Sequence, residues 1–347
     1  MEELWTEKYQ PTKFDELDFH DAVNKKLENL TQNGNMPHMI IYGPDGAGKR
    51  TRVNCLLHAL YGNNIKTNKE TWSTKNNNTL IELNIRYSKY HYELSPSDVK
   101  HNDRIVLLKL IKESATNSSF FLGNESQNSF ITFVVYNAHK LSLGAQAALR
   151  RTLEKYSNKI RVVMVCETLG PLIPALKSRC LLLRMKAPET GEIRFVLEDI
   201  LKKEKVREYK EIVNHLCVEE EERNLRALTL LAQNLYLTSN FSDGGSKFFW
   251  KREIENNIVK KILANQSVDM IKDFRTVFYK LLVNQIPADD IIKEMLVSFC
   301  KNNSNPLKTL KAKEDAARCD RLMKRGHRDI IYLESFLVKL MMIQKNG

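Results

Sequence analysis

The chain has 347 residues, more than one ordinary core accommodates, so two or three domains are expected. Apolar residues make up 42% and charged residues 28%, the balance of a globular protein, and no run reaches the roughly 18 apolar residues that a membrane helix needs. Lys plus Arg number 54 against 42 Asp plus Glu, a formal charge of +12 that favours an anionic partner such as nucleic acid, although Lys-rich solvated faces give the same sum.

The opening Met1-Glu2-Glu3-Leu4-Trp5 is acidic and lacks an apolar core, so the expectation is no secretory leader and an intracellular protein. In the first half, Met39–Tyr42, Thr79–Asn84, Ile131–Tyr136, Arg161–Cys166 and Cys180–Met185 read as strands. Several are nearly continuous apolar runs, as in a parallel sheet buried on both faces. Asn63–Asn78 is polar and Asn-rich and reads as a surface insertion. Ala145–Tyr156 is the clearest helix, with Ala145, Leu149, Thr152, Leu153 and Tyr156 on one face and Arg150, Arg151 and Lys155 on the other. Strand–helix alternation predicts an α/β fold. From Ala187 the β signals fade. Helices are expected from Pro188 and Glu189 through Leu201, over Glu208–Val218, and over Leu225–Leu235 behind Asn224 as N-cap. Thr238–Lys247 reads as a linker, followed by helices over Lys251–Asn265, Val268–Asn284, Pro287–Cys300 and Arg328–Met342. The expected domains are a nucleotide-binding core over 1–186, a helical lid over 187–238 and an all-α region over 248–347. Six cysteines without a CxxC pair argue against a zinc ribbon and fit reduced thiols.

Gly43-Pro44-Asp45-Gly46-Ala47-Gly48-Lys49 lies between a predicted strand and a predicted helix over Arg50–Leu60. That is the context of a phosphate loop. Glycines let backbone N–H groups wrap phosphate oxygens at a helix N-terminus, and Lys49 reaches the outer phosphates. A Ser or Thr that ligates Mg²⁺ normally follows the lysine. Here Arg50 follows, with Thr51 one place late and rotated by about 100° around the helix. Arg50 can still lie near phosphate as a charge. The buried strand Ile131–Val135 should end in a metal-holding Asp and a water-activating Glu, but Tyr136 and Asn137 stand there. Without these acids phosphoryl transfer loses charge neutralisation and water positioning. The reading is therefore binding of ATP or ADP with little or no hydrolysis and no dependable Mg²⁺ site. His139 reads as a loop histidine rather than a base. After the strand ending at Val165, Cys166-Glu167 stands where AAA+ proteins carry a polar sensor, and an anionic Glu167 would favour ADP or a relaxed site.

These motifs resemble the small subunits of replication factor C, the eukaryotic clamp loader, over nearly the whole chain. Trp5-Thr6-Glu7-Lys8-Tyr9-Gln10-Pro11 is similar to the family's Trp-x-Glu-Lys-Tyr-Arg-Pro box, with Gln10 for Arg. Pro37-His38, Ser95-Pro96-Ser97-Asp98, Gln146 with Ala148–Glu154, Ser178-Arg179-Cys180 and Asn224-Leu225-Arg226 match as well. Degenerate catalytic motifs beside an intact Ser-Arg-Cys single out one subunit type, which Ile286–Leu296 and Gly326–Met341 also resemble. The resemblance implies an AAA+ parallel sheet with helices on both faces, a helical lid and an all-α collar that oligomerises. It implies a heteropentamer with other replication factor C subunits, the sliding clamp and primer–template DNA as partners, and a nuclear location. By the same resemblance Arg179 reaches a neighbour's γ-phosphate in trans. Gly43, Pro44, Asp45, Gly46, Ala47, Gly48, Lys49, Arg50 and Thr51 hold this chain's own nucleotide. Arg226 approaches it from the lid, and Lys8, Tyr9 and Pro11 border the adenine. Arg104, near the start of a helix at Asn102–Ile105, contacts DNA phosphates. A scaffold shared by alternative or checkpoint loaders fits the same pattern. An independently active AAA+ ATPase would need acids at 136 and 137.

Overall fold

The computed structural model describes residues 3–32, 36–62, 67–76, 79–121, 130–206, 209–219, 223–238, 249–264, 267, 269–284, 286–303, 305–323 and 328–345. Its contacts divide the chain into two units, Met1–Ser239 and Asn240–Gly347.

The first unit holds strands β1 (Met39–Tyr42), β2 (Asn68–Asn76), β3 (Thr79–Tyr87), β4 (His91–Leu94), β5 (Ile131–Val135), β6 (Ile160–Cys166) and β7 (Leu181–Arg184). They form one sheet in the order β2-β3-β4-β5-β6-β1-β7. Strands β4, β5, β6, β1 and β7 are parallel, and β2 and β3 add an antiparallel hairpin. Period-two alternation sends side chains to two separate cores. Ile40, Phe133, Val135, Val162 and Met164 face Val106, Leu107 and Leu110 of helix α4 and Leu149 and Leu153 of helix α5. Met39, Ile41, Val134, Val163 and Val165 face Leu27 of α2 and Val53, Leu56 and Leu57 of α3. These helices are α2 (Asp21–Gln32), α3 (Lys49–Tyr61), α4 (Asp103–Phe121) and α5 (Leu143–Lys155); the unit also holds the short α1 (Trp5–Lys8) and α6 (Pro174–Lys177). The arrangement is the AAA+ core expected from the sequence.

Two sequence expectations need correction. Residues 68–76 of the polar insertion are the strand β2, paired with β3 from Asn68↔Tyr87 to Asn76↔Thr79; the rest of that insertion lies largely outside the described residues. Thr79–Asn84 belongs to this hairpin and not to the parallel core. The parallel strand beside β5 is the unpredicted His91–Leu94. Four residues, two of them polar, carry too little apolar signal to read as a buried strand.

Helices α7 (Thr190–Lys203), α8 (Tyr209–Glu219) and α9 (Leu225–Thr238) complete the first unit. They bury Leu197, Leu201, Ile212, Leu216, Leu228 and Leu231. Asn224 caps α9, its Oδ1 accepting from the Ala227 N–H at 3.1 Å, as the sequence predicts. Trp5, 4% exposed, docks on this group: its N–H donates to Gln233 Oε1 at 3.0 Å, and its ring lies 5.4 Å from that of Tyr236.

The second unit is helical among the described residues. Helix α10 (Phe249–Glu253) runs through a π-helical stretch, Ile254–Val259, into α11 (Lys260–Ala264). Then come α12 (Asp269–Val283), α13 (Ala288–Asn302), α14 (Pro306–Met323) and α15 (Asp329–Lys345). Pro287 is the N-cap of α13 rather than a residue of its first turn. Phe274, Phe278, Phe299, Phe336 and Leu337 are fully buried in the core. Along α14 the buried positions are Ala312, Ala316 and Cys319, small side chains that let neighbouring helices approach, while Lys311, Lys313 and Arg318 are exposed. No described helix is long and apolar enough to cross a membrane.

Phe336→Ala should destabilise the second unit by about 3–5 kcal/mol in chemical denaturation. Leu310→Ala, at a position 66% exposed on α14, should change stability by no more than about 0.5 kcal/mol.

Candidate functional site

The loop between β1 and α3 is shaped by three glycines with positive φ: Gly43 at 155°, Gly46 at 72° and Gly48 at 76°. Two of them are required by close packing as well as by conformation. A Cβ on Gly46 would lie 2.0 Å from Asn224 Oδ1, and one on Gly43 2.0 Å from the Met185 carbonyl oxygen. The loop thus touches the cap of α9 on one side and the end of β7 on the other. Lys49 opens α3 and is buried, with Nζ donating to the Gly43 and Pro44 carbonyls at 2.7 Å each. Burial pulls its pKa below the ordinary lysine value, against the pull of the Asp45 and Glu167 carboxylates. The Gly43 N–H donates to the Cys166 carbonyl at 3.3 Å.

Arg52, one turn further on, is fully buried. Its Nε donates to Asn24 Oδ1 at 2.9 Å, its Nη1 to the Gly48 carbonyl at 3.2 Å and its Nη2 to the Phe19 carbonyl at 2.6 Å. The guanidinium also stacks 4.6 Å from the Phe19 ring centroid. Burial pushes its pKa down to about 10, so it stays charged near neutrality. Sequence reading missed this residue; the signal was a basic side chain on the otherwise apolar inner face of α3, with Val53 and Leu56.

The other predicted residues gather around a cleft of about 860 Å³ within the first unit. Lys8, Tyr9, Pro11, Gly46, Gly48, Arg50, Thr51 and Arg226 all line it. Lys8 Nζ and the Tyr9 hydroxyl both donate to Glu204 Oε1 at 2.6 Å, which ties the N-terminal box to the end of α7. Glu204 carried no motif and was not foreseen. Arg226 Nη1 lies 3.6 Å from Asp45 Oδ1. Thr51 turns away from Arg50, its Oγ1 accepting from Gln10 Nε2 at 3.5 Å.

Arg50 stands over the ring of Tyr136, 4.6 Å from its centroid. The Tyr136 hydroxyl donates to Glu93 Oε2 at 3.0 Å. Burial, followed by the neighbouring Glu93 charge, raises the phenol pKa far above its ordinary value, so it remains a donor. Glu93 is buried, and burial alone would raise its pKa. The His91 imidazole, with Nε2 3.4 Å from Glu93 Oε1, the hydrogen bond from Tyr136 and the charge of Arg86 outweigh this and hold it below the ordinary carboxylate range. The sequence signal was the alternation His91-Tyr92-Glu93-Leu94, which puts 91 and 93 on one face.

An Mg²⁺ ion, which the fold family implies, does not fit these residues. Position 50 offers a cation, position 136 a phenol, and Asn137 Nδ2 donates to Ser95 Oγ at 3.3 Å. Glu93 already serves Tyr136, and among the described residues no group of three His, Cys, Asp or Glu could hold a metal. His139 is partly buried in the 3-10 turn Ala138–Lys140 rather than in a loop; its Nδ1 lies 3.5 Å from the Glu167 N–H and its Nε2 3.9 Å from Glu167 Oε2.

Gly43, Pro44, Asp45, Ala47 and Lys49 belong to the loop but do not line the cleft, and Arg179 and Arg104 lie away from it. Arg179, exposed after α6, has its Nε 2.7 Å from Glu154 Oε1 and donates from Nη1 to the Ala175 carbonyl at 2.8 Å. Arg104 is exposed in the first turn of α4. Asp103 before it is buried and serves as a junction: Oδ1 accepts from the Arg104 N–H and Ser142 Oγ, and Oδ2 from the Ser142 N–H, at 2.7–2.9 Å. It thereby locks the starts of α4 and α5 together. Val106, Leu107 and Leu110 face the core.

A family model described as the C-terminal domain of replication factor C subunit 3 matches residues 250–347. Replication factor C subunit 5 of Saccharomyces cerevisiae is 33% identical, spanning 97% of this chain and 98% of its own. Replication factor C subunit 3 of Homo sapiens is 33% identical over 99% of this chain and 96% of its own. Replication factor C subunit 5 of Oryza sativa subsp. japonica is 34% identical over 99% and 98%.

Arg52→Met takes the donor from buried Asn24 Oδ1 and one of two donors from each of the Phe19 and Gly48 carbonyls, and should cost about 2–4 kcal/mol in thermal or chemical unfolding. Tyr136→Phe removes the donor to Glu93 and should cost about 1–3 kcal/mol near neutral pH. The folded carboxylate has a depressed pKa, so its contribution is present above the ordinary carboxylate range and is lost as pH falls through the folded value. The gap between wild type and Tyr136→Phe, followed by denaturation across pH, should therefore narrow on acidification.

Proposed function

Because the chain belongs to the replication factor C small-subunit family, we propose that it is the clamp-loader subunit whose own site binds nucleotide without turning it over. In this reading it completes the active site of a neighbour. The observation that carries it is the exchange at the catalytic positions: a stacked Arg50–Tyr136 pair and Asn137 where a metal ligand and a base would stand.

In this reading the glycine-rich loop, Lys49 and the cleft residue Arg226 bind the phosphates of ATP or ADP, and Lys8, Tyr9 and Pro11, which line the cleft, border the base. The carboxylates among the described cleft residues, Glu7, Glu16, Asp18 and Asp199, lie on the N-terminal segment and α7 rather than at the end of β5. Arg179 suits the opposite task. Its ion pair with Glu154 is exposed, 39% and 47% respectively, and such pairs contribute less than about 1 kcal/mol. A phosphate presented by an adjoining subunit can replace Glu154 at little cost. A guanidinium supplied in trans accelerates phosphoryl transfer by about 10³–10⁵.

The remaining roles belong to the same proposal: residues 1–186 as nucleotide-binding core, 187–238 as lid and 248–347 as oligomerising collar. The sliding clamp and primer–template DNA are the partners, with Arg104 on DNA phosphates, and the site of action is the nucleus. Phosphate contacts read no bases, so DNA binding would be salt-dependent and sequence-independent.

In the complex reconstituted with its partner subunits, Arg179→Ala should lower clamp- and DNA-stimulated ATP hydrolysis by about tenfold or more. Lys49→Ala should leave it within about twofold of wild type, because the nucleotide held here is not turned over. Loss of turnover in Lys49→Ala with intact assembly, together with a silent Arg179→Ala, would invert the assignment.

A further inference from the structure

Beside the nucleotide cleft lies a second cavity of about 430 Å³, and the two share Arg50 and Arg86 in their linings. Arg50 is the residue that replaces the metal-binding Ser or Thr. Arg86 comes from β3, the inner strand of the antiparallel hairpin. One buried carboxylate organises both. In the antiparallel register of β3 and β4, Arg86 is the cross-strand partner of Glu93, which puts the two side chains on one face with opposite charges. From the other direction Glu93 accepts the Tyr136 hydroxyl, and the Tyr136 ring carries the Arg50 guanidinium. Glu93 is thus turned to holding a phenol, and through it a guanidinium, in place.

We propose that Arg50 and Arg86 form a dicationic wall that neutralises the nucleotide polyphosphate in place of Mg²⁺, so that this chain holds its nucleotide independently of metal. This rests on the nucleotide-binding reading above. Two guanidinium groups bring two positive charges, of which the Glu93 carboxylate offsets one, so the wall offers the phosphates a net single positive charge where a divalent ion would bring two. Guanidinium groups also give planar, bidentate hydrogen bonds to phosphate oxygens. They differ from the metal in what they cannot do. A guanidinium holds no water ligand whose pKa it could lower and fixes no coordination geometry for in-line attack. A site neutralised this way retains its ligand and does not hydrolyse it. Stacking on Tyr136 preorganises Arg50, so less side-chain entropy is lost on contact.

The test is ADP binding to the full-length chain by isothermal titration calorimetry, in Mg²⁺ buffer and in excess EDTA. The expected result is a dissociation constant that changes by less than about twofold between the buffers, while Arg50→Thr and Arg86→Gln each weaken binding by about tenfold or more. The double variant Arg50→Thr with Tyr136→Asp restores a hydroxyl and an acid and should bind ADP more tightly in Mg²⁺ than in EDTA. Wild-type binding that weakens by about tenfold or more in EDTA would overturn the proposal and leave nucleotide binding standing. Absence of ADP binding in both buffers would remove the nucleotide reading and this proposal with it. Wild-type affinity in both single arginine variants would also overturn it. The wild-type comparison between buffers needs no variant, so a substitution that fails to fold leaves the proposal open to refutation.

Discussion

A guanidinium buried without water must have its N–H groups matched, and in this protein that requirement places the phosphate loop. Arg52 makes one bond each to the Gly48 carbonyl, the Phe19 carbonyl and Asn24. The partners belong to three separate stretches: the loop, the segment before α2, and α2 itself. Asn24 closes the arrangement by donating from Nδ2 to the Phe19 carbonyl at 2.9 Å. Gly48 must be glycine here for two reasons that act together. Its φ is 76°, and a Cβ would sit 2.4 Å from Arg52 Nη1. The loop conformation, the glycine and the buried arginine are one constraint, because relaxing any of them leaves a buried polar group unpaired.

From that anchored loop the cleft is assembled by polar ties across long stretches of sequence. Glu204 receives both Lys8 and Tyr9. Gln233 accepts from the Trp5 N–H and donates to the Glu3 carbonyl. Asn224 caps α9 and lies against Gly46. Helix ends, rather than helix middles, therefore meet the loop, and helix ends are where unpaired backbone donors and acceptors are available. The N-terminal box acts as a strap between core and lid, which explains why a short segment with little apolar content carries a buried Trp5.

The catalytic positions show a change of chemistry with the scaffold kept. The β5 strand is intact and fully buried, and it ends where an acid would be useful. Tyr136 fills that point and recruits Glu93 from the neighbouring strand. A charged carboxylate in this place survives burial only through its donors, and it finds them in Tyr136, in His91 and in the field of Arg86. Arg179, by contrast, remains at the surface in a weak pair that a stronger acceptor can displace. The interior network is locked, whereas the surface arginine is held only by an exposed ion pair.

What the sequence by itself determined was local: element type from hydrophobic period, the phosphate loop from its glycines between strand and helix, the cap at Asn224, and the absence of acids at 136 and 137. Each of these is written in residues within a few positions of one another, so the pattern and its physical cause coincide. The hairpin over residues 68–87 was lost because its outer strand is solvated and polar, and β4 because four residues with two polar side chains do not announce burial. What only the tertiary structure decided was partnership. Tyr136 and Glu93 are 43 residues apart, Lys8 and Glu204 196, and Trp5 and Gln233 228. Whether a buried Glu serves a metal, a base or a phenol depends on which strand lies beside it, and strand order is set by the packing of two cores against one sheet rather than by any neighbour in the chain.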